Sequence, residues 1–245
     1  MEKLIAYPLT VIYYLAFGIL LVIFHPIQWF CLNVFGYQAH KKSVDVLNFF
    51  IMRCTNILGT SYSFQYTEEI PLGRPIIIVA NHQSMYDIPP IIWHLRKYHP
   101  KFISKKELGK GIPSVSFNLR HGGSVLIDRK NRSQALPALK KFAEYIADTK
   151  RAAVIFPEGT RSRTGAPKKF AESGLKILFK NIPDAIIVPI SINNSWKLLK
   201  FGKFPMGLGN KIKFKIHAPI KPEEYTSEEL IPLIEKIITD SIQKP

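Results

Sequence analysis

The sequence predicts an α/β fold with a mainly parallel central sheet flanked by helices, preceded by an N-terminal membrane-embedded two-helix segment. Two observations carry this prediction. From Gly73 onwards, short apolar runs alternate with helical patterns, which is typical of a parallel sheet. Before that, residues 4–24 form a run of 21 residues without a charged side chain. At about 1.5 Å per residue, a helix of this length just crosses a hydrocarbon layer of roughly 30 Å.

The apolar front of the chain is predicted to form two helices. The first begins at residue 4, and the chain breaks at residues 33–36; the second is predicted over residues 43–58. Either the first helix spans a bilayer, or both helices form a hairpin embedded in one leaflet. We prefer the hairpin because both helices contain polar residues, and because Trp29 and Tyr37 lie where interface anchors are expected. An uncharged run of this length disfavours a helical pair buried in a soluble protein.

The positive charge is unevenly distributed along the chain. The formal net charge is +16, and residues 1–72 contribute none of it. A neutral apolar front and a basic body fit a chain that contacts anionic lipid or nucleic acid. Because the sequence lacks zinc-ligand spacing, an RNA-binding strand motif and a basic recognition helix, we predict no nucleic-acid partner. We predict a two-helix membrane anchor over residues 1–60 and a second domain over residues 61–245.

The body is predicted to alternate strands and helices. Strands are predicted at 76–80, 101–104, 124–127, 152–156, 185–190 and 211–217, and helices at 88–98, 133–148, 170–180 and 226–242. Thr226 and Glu229 are predicted to form a capping box at the start of the last helix. Ligand sites of parallel sheets lie beyond the carboxyl ends of the strands. The residues that follow each strand are therefore the candidates for a functional site.

One strand-to-helix turn contains a histidine and a carboxylate. His82 and Asp87 follow the strand at 76–80, and Asp87 is also a candidate cap for the helix that starts at Ile88. On one helix these side chains would point about 140° apart, but on a turn they can meet. Imidazole accepts a hydroxyl proton near neutral pH, and a carboxylate on its other nitrogen fixes the tautomer. Taken alone, this spacing also fits a histidine with a purely structural role.

Basic side chains follow the other strands. Lys105 follows the strand at 101–104, Arg129 follows 124–127, and Glu158–Arg161 follow 152–156. Guanidinium groups match phosphate oxygens, and Gly159 permits close approach of the backbone to a ligand. Glu158 would accept a hydrogen bond from a substrate hydroxyl or brace Arg161. Ion pairing at the surface is the alternative for each cation alone. Together these residues predict a proton acceptor beside a phosphate site.

A later segment, residues 196–204, interleaves aromatic side chains with lysines. We interpret it as a membrane-surface patch that contacts anionic headgroups or the acyl donor, with an ordinary solvated loop as the alternative.

Four segments resemble, in order and spacing, the sequence blocks of the glycerolipid acyltransferases. Asn81–Asp87 is similar to the first block, with its His-x4-Asp spacing, and Phe156–Ser162 to the third. Lys105–Arg129 is similar to the second block and Ile187–Ile190 to the fourth, so the resemblance covers roughly residues 75–190. The closest resemblance is to the 1-acyl-glycerol-3-phosphate acyltransferases. One departure is Ser116, three residues after Pro113, where that family often has a glycine that shapes the acyl tunnel.

The resemblance implies acyl transfer to the sn-2 hydroxyl of lysophosphatidic acid from acyl-CoA or acyl carrier protein, giving phosphatidic acid. His82 would take the hydroxyl proton and Asp87 would orient His82. The same resemblance implies that the substrate is bound by Lys105, Arg129, Glu158, Gly159, Thr160 and Arg161. The resemblance further implies no metal, no cofactor besides the acyl donor, no acyl-enzyme, and contact with membrane lipids. Residues 61–245 would be the catalytic domain, on the cytoplasmic face of the cell (inner) membrane where acyl donors are made.

Three other functions stay open on the sequence alone. A related acyltransferase would act on glycerol 3-phosphate, a lyso-ornithine lipid or another lysophospholipid. A serine hydrolase would use Ser84 or Ser162, although neither lies in a Gly-x-Ser-x-Gly turn. A non-catalytic lipid-binding membrane protein would not need the His82–Asp87 pair.

Overall fold

The computed structural model describes residues 2–243 and opens with two long helices. Helix α1 (Glu2–Phe35) and helix α2 (Tyr37–Cys54) are joined by Gly36, whose φ of +76° is readily adopted by glycine. The predicted start of the second helix at residue 43 is wrong. Its first turns contain polar residues, but His40 is fully buried, so packing extends the helix to Tyr37. The helix also ends before residue 58, because Thr55–Leu58 form a separate 3-10 turn.

Within residues 2–243, seven strands form one sheet in the order β1-β7-β6-β2-β5-β3-β4. Their bounds are β1 Ser61–Tyr66, β2 Ile76–Ala80, β3 Pro100–Lys105, β4 Val125–Ile127, β5 Ala152–Ile155, β6 Ile186–Asn193 and β7 Lys211–Ile216. All neighbouring strands pair parallel except β6 and β7, which confirms the mainly parallel sheet. Strand β1 was not predicted. It is an edge strand in which polar residues alternate with half-buried or exposed aromatic ones, so it lacks a continuous apolar run.

In the described part of the chain, five further helices cover the sheet: α3 (Ile88–His94), α4 (Val115–His121), α5 (Arg132–Thr149), α6 (Glu172–Asn181) and α7 (Ser227–Asp240). Helix α3 ends four residues before its predicted end, since the chain turns through Arg96–Tyr98 to His99 at a φ of 50°. Helix α4 was not predicted; its seven residues are too few for a clear periodic pattern. The predicted capping box of α7 is confirmed, with Thr226 N donating to Glu229 Oε2 at 3.0 Å and Glu229 N donating to Thr226 Oγ1 at 3.3 Å.

Strand β2 lies at the centre of the sheet and all five of its residues are buried. Successive side chains of a strand point to opposite faces. Ile76 and Ile78 accordingly pack in one apolar cluster with residues of α1, α2 and α3, while Ile77 and Val79 pack in a second cluster with α5, α6 and α7. Helices thus cover both faces of the sheet, and its carboxyl edge is left for the turns that follow the strands.

Helix α1 is bonded to the body of the protein rather than projecting from it. Thr10 Oγ1 accepts a hydrogen bond from Met206 N at 2.9 Å, and Ser114 Oγ donates to Leu21 O at 2.6 Å. The opposite side of the helix exposes apolar side chains: Leu4, Ile5, Val11, Ile12, Leu15, Ile19, Val22, Ile23, Ile27, Trp29, Phe30, Val34 and Phe35. By length and composition, α1 is apolar enough to cross a membrane. The predicted domain division after residue 60 stays a prediction.

Candidate active site

The residues predicted from separate strand ends converge at the carboxyl edge of the sheet. A cavity of about 790 Å³ opens there, and its walls include His82, Lys105, Arg129, Gly159, Thr160 and Arg161. The two remaining predicted residues, Asp87 and Glu158, are buried directly behind His82. Parallel pairing of β2, β5, β3 and β4 brings these turns to one edge, as predicted from the strand ends.

His82 and Asp87 form a hydrogen-bonded pair. Nδ1 of His82 lies 2.8 Å from Oδ2 of Asp87, and the imidazole stacks on the ring of Phe156 with centroids 4.1 Å apart. Because Nδ1 is directed at Asp87, Nε2 is the ring nitrogen left to a substrate. The His82 side chain is 13% exposed and lines the cavity, so a hydroxyl group can reach it.

Asp87 is held rigidly by its own turn. Its Oδ2 accepts hydrogen bonds from Nδ1 of His82, from Gln83 N at 2.7 Å and from Ser84 N at 2.9 Å. Asp87 is the N-cap residue of α3, as predicted, but its side chain makes no capping hydrogen bond, since the carboxylate bonds backward to the turn instead. Ser84 completes this turn, with its Oγ accepting from Tyr86 N at 3.0 Å. The turn therefore fixes the position of the carboxylate against the imidazole.

The loop after β5 is tied to the histidine turn by two backbone contacts. Ser162 N donates to His82 O at 2.7 Å, and His82 N donates to Glu158 Oε1 at 3.4 Å. Gly159 has a φ of +69° at the turn of this loop, and its carbonyl accepts from Nη1 of Arg129. The loop thus joins three strand ends into one wall of the cavity.

Ion pairing at the surface does not account for the predicted cations. Within residues 2–243, Lys105, Arg129 and Arg161 form no salt bridge with a carboxylate. Burial lowers the pKa of Arg129, although a guanidinium stays charged at neutral pH. Three cations without carboxylate partners therefore face the cavity that His82 lines, an arrangement suited to an anionic substrate.

Comparisons with known proteins show the family of this chain. A family model described as "Acyltransferase" matches residues 62–193, more than half of the chain. The chain belongs to this acyltransferase family. The 1-acyl-sn-glycerol-3-phosphate acyltransferase of Saccharomyces cerevisiae is 30% identical over 177 residues, covering 69% of this chain and 55% of that protein. The enzyme of the same name from Helicobacter pylori is 38% identical over 125 residues, half of each chain.

One solved structure resembles nearly the whole chain. It is the crystal structure of the 1-acyl-sn-glycerophosphate (LPA) acyltransferase PlsC from Thermotoga maritima, with a TM-score of 0.78 and 27% identity. The match covers 98% of this chain and 95% of that chain, including the two N-terminal helices. The chain spans about half the length of the curated relatives it matches.

Part of the wall of the acyltransferase cavity was not predicted as such. Trp196, Lys200 and Lys203 line the cavity, although we interpreted residues 196–204 as a membrane-surface patch. The interleaved aromatics and lysines were visible in the sequence, but no motif linked them to the catalytic turn. The link is Gln83, whose Oε1 accepts from Ser195 N at 3.0 Å and whose Nε2 donates to Gly165 O at 3.3 Å.

Ser116, the departure from the family pattern, has a defined structural role. Its hydroxyl donates to Leu108 O at 2.9 Å and accepts from Ile112 N at 3.0 Å. The side chain is buried and holds the segment that leads from β3 to α4. Because Leu108 lines the cavity, this serine fixes part of the cavity wall.

Glu158 should make the stability of the acyltransferase depend on pH. Burial is the main cause that raises its pKa from 4.5 to about 7. Between these values the folded state keeps a proton that the unfolded state has lost, so this contribution to stability falls as pH rises. Glu158→Gln cannot titrate. We expect the thermal midpoint of the variant minus that of wild type to increase from pH about 5 to pH about 8.

The matched control for this experiment is Glu224→Gln, which replaces an exposed glutamate outside the cavity. Its midpoint relative to wild type should not change with pH over the same interval. A Glu158→Gln difference that stays constant from pH about 5 to about 8 would show that Glu158 ionises normally.

Proposed function

We propose that this acyltransferase transfers a fatty acyl group from acyl-CoA or acyl carrier protein to the sn-2 hydroxyl of 1-acyl-glycerol 3-phosphate, giving phosphatidic acid. The proposal rests on the His82–Asp87 pair, because His82 lines the same cavity as the cations Lys105, Arg129 and Arg161. The names of the relatives from Saccharomyces cerevisiae and Helicobacter pylori support the same acceptor.

The proposed reaction needs one proton acceptor and one fixed carboxylate. Nε2 of His82 takes the proton of the acceptor hydroxyl while the oxygen attacks the thioester carbonyl of the donor. Asp87 holds Nδ1–H and stabilises the imidazolium that forms. When the tetrahedral intermediate collapses, the C–S bond breaks and the thiolate takes the proton from His82. The step balances without a metal, a cofactor other than the acyl donor, or an acyl-enzyme.

The phosphate of the acceptor is proposed to bind the cations of the cavity wall. Arg161 and Arg129 offer planar donors to its oxygens, and Lys105 adds a point charge. Gly159 and Thr160 line the cavity between them, and Lys168 donates to Thr160 Oγ1 at 2.8 Å, which steadies this loop. Glu158, behind His82, is proposed to position the histidine turn through His82 N.

Replacing Arg161 with alanine should raise the KM for lysophosphatidic acid roughly 10- to 100-fold, with a smaller effect on kcat. The physical reason is the loss of charge-assisted hydrogen bonds to the phosphate, worth about 1.5–3 kcal/mol. The measurement is steady-state kinetics with each substrate varied in turn. Arg132→Ala, which removes an exposed arginine at the start of α5, is the control and should behave like wild type. A change confined to the KM of the acyl donor would contradict the assignment.

We also propose that α1 and α2 lie as a hairpin in one leaflet of the cell (inner) membrane, with the catalytic domain on the cytoplasmic face. The support is the exposed apolar side of α1 together with its bonds to the body at Thr10 and Leu21. These positions are about 17 Å apart along the helix. A helix bonded to the body over this length lies along the membrane surface rather than crossing away from the body, and membrane lipids are its partners.

The two donors are distinguished by direct competition. Oleoyl-CoA and oleoyl acyl carrier protein, offered together with different isotopic labels, should show which thioester is consumed first. The acceptor alternatives, namely glycerol 3-phosphate, a lyso-ornithine lipid and another lysophospholipid, are resolved by the same assay with the acceptor varied. Lack of turnover with every pair would favour the non-catalytic lipid-binding alternative.

The serine hydrolase alternative receives no support from the serine positions. Ser84 is fully buried and its hydroxyl contacts that of Ser195. Ser162 lines the cavity, but within residues 2–243 its hydroxyl has no hydrogen bond to His82. A stable acyl-serine detected by mass spectrometry would be needed to revive that function.

A further inference from the structure

A second group of cations lies at the edge of the sheet opposite the catalytic cavity. Lys101 is at the start of β3, and Arg151 directly precedes β5. Tyr37 and Lys41 belong to the first turns of α2 and face these strands. Lys101 and the cavity residue Lys105 are four residues apart on one strand, so the two groups are separated by about 13 Å. Lys105 belongs to the catalytic cavity, whereas the members of the second group have no role in the proposed acyl transfer.

The two strand cations share one aromatic ring. The guanidinium carbon of Arg151 lies 4.0 Å from the centroid of the Tyr37 ring, and Nζ of Lys101 lies 5.0 Å from the same centroid. The hydroxyl of Tyr37 is hydrogen-bonded to Nδ1 of His99 at 3.0 Å, which fixes the ring. Lys101 and Arg151 are therefore held side by side although both carry positive charge.

The positive charge of this group is not balanced by the protein. The acidic residue beside this group is Asp45, whose carboxylate is bonded to Nζ of Lys41 at 2.5 Å. Within residues 2–243, neither Lys101 nor Arg151 forms a salt bridge, yet Lys101 is only 6% exposed. Burial, Arg151 and Lys41 lower the pKa of Lys101 to about 7, against the opposing effect of Asp45. Three cations around one carboxylate leave an excess of positive charge that is costly to bury, and a bound anion offsets that cost.

A buried histidine next to this group also lacks hydrogen-bond partners. His40 is fully buried, and both of its ring nitrogens are without a partner in the described part of the chain. Burial and the charge of Lys101 lower its pKa to about 4, so it is neutral at physiological pH. Buried polar atoms are normally satisfied, so this observation is independent of the charge imbalance.

We propose that Lys101 and Arg151, on the platform of Tyr37, bind the phosphate group of an anionic ligand at a site separate from the catalytic cavity. The half-buried Arg151 and Tyr37 leave an approach from solvent, and a guanidinium beside an ammonium matches phosphate oxygens. Because Tyr37 follows the exposed Phe35 at the end of α1, a lipid headgroup is the favoured source. That choice of source rests on the proposed hairpin, whereas the anion site itself does not.

The test uses the full chain in an uncharged detergent, with Arg161→Ala as the parent to weaken phosphate binding in the catalytic cavity. The thermal midpoint is followed against inorganic phosphate at constant ionic strength, and separately against phosphatidylglycerol in mixed micelles. Lys101→Met should weaken the fitted affinity at least about tenfold, from the loss of charge-assisted bonds. Lys213→Met, which removes an exposed lysine of β7, is the matched control and should leave the affinity unchanged.

Each outcome of this titration bears on the proposal. If both probes raise the thermal midpoint and Lys101→Met reduces that rise, the result supports a general phosphate site. If only phosphatidylglycerol raises the midpoint and Lys101→Met reduces that rise, the site is assigned to a lipid headgroup. No rise with either probe, or the same rise in Lys101→Met as in the parent, would overturn it. Should Lys101→Met fail to fold, Arg151→Gln at the half-buried guanidinium supplies the same comparison. Since no acyl transfer is measured, failure here leaves the proposed enzymatic function untouched.

Discussion

Replacing His82 with alanine should abolish acyl transfer while leaving the fold intact. A positioned general base contributes typically about 10²–10⁴-fold to rate, and kcat should fall by at least that factor. The fold should survive because the imidazole has one side-chain hydrogen bond, to Asp87, and its main packing partner is Phe156. The backbone bonds that hold the turn, from Ser162 N to His82 O and from His82 N to Glu158, do not need the imidazole.

The measurement is kcat with saturating donor and acceptor, together with the thermal midpoint. His121→Ala is the matched control, because His121 is an exposed histidine at the end of α4 that does not line the cavity. It should keep the turnover of wild type. Substantial residual turnover in a folded His82→Ala protein would remove His82 from the role of base.

Replacing Asp87 with asparagine should lower kcat by roughly 10²–10⁴-fold, with a smaller effect on KM. Oδ2 of Asp87 accepts from three donors, namely Nδ1 of His82 and the N–H groups of Gln83 and Ser84. An amide offers one oxygen and one NH₂ group, so the carboxylate's charge is lost whichever way the amide is oriented. The imidazolium formed during the reaction would then lack its counter-charge. The same change should reduce thermal stability, because Asp87 is fully buried.

Steady-state kinetics and thermal unfolding on the same preparation test this expectation. Asp184→Asn replaces an exposed aspartate before β6 and serves as the control for the chemical change itself. If Asp87→Asn raised KM without lowering kcat, Asp87 would act in binding rather than in orienting the base.

The central sheet and the turn that contains His82 and Asp87 were predictable because their residues obey local rules. Five apolar residues at 76–80 form a fully buried strand, and the order of strand ends places His82 beside Glu158 and Arg161. Parallel pairing then brings the turns together without information about individual contacts. The pairing of β6 with β7 is antiparallel, and the sequence alone did not distinguish it.

Features that depend on tertiary contacts were not predictable. The start of α2 at Tyr37 depends on the burial of His40 within a polar stretch. The cavity wall at Trp196 depends on long-range contacts, since Gln83 and Ser84 of the histidine turn both bond to Ser195 in the loop after β6. The group around Lys101 unites residues of α2, β3 and β5 that are far apart in the chain. No period or motif in the sequence encodes such long-range contacts.

Acyl transfer by the purified, detergent-solubilised protein tests the proposed function most directly. Labelled oleoyl-CoA is offered with lysophosphatidic acid, glycerol 3-phosphate or lysophosphatidylcholine, and the His82→Ala variant is run beside each. We expect phosphatidic acid from lysophosphatidic acid alone, and its loss in the variant. Transfer to another acceptor would contradict the proposed substrate, and absence of transfer from both oleoyl-CoA and oleoyl acyl carrier protein would contradict the proposed activity.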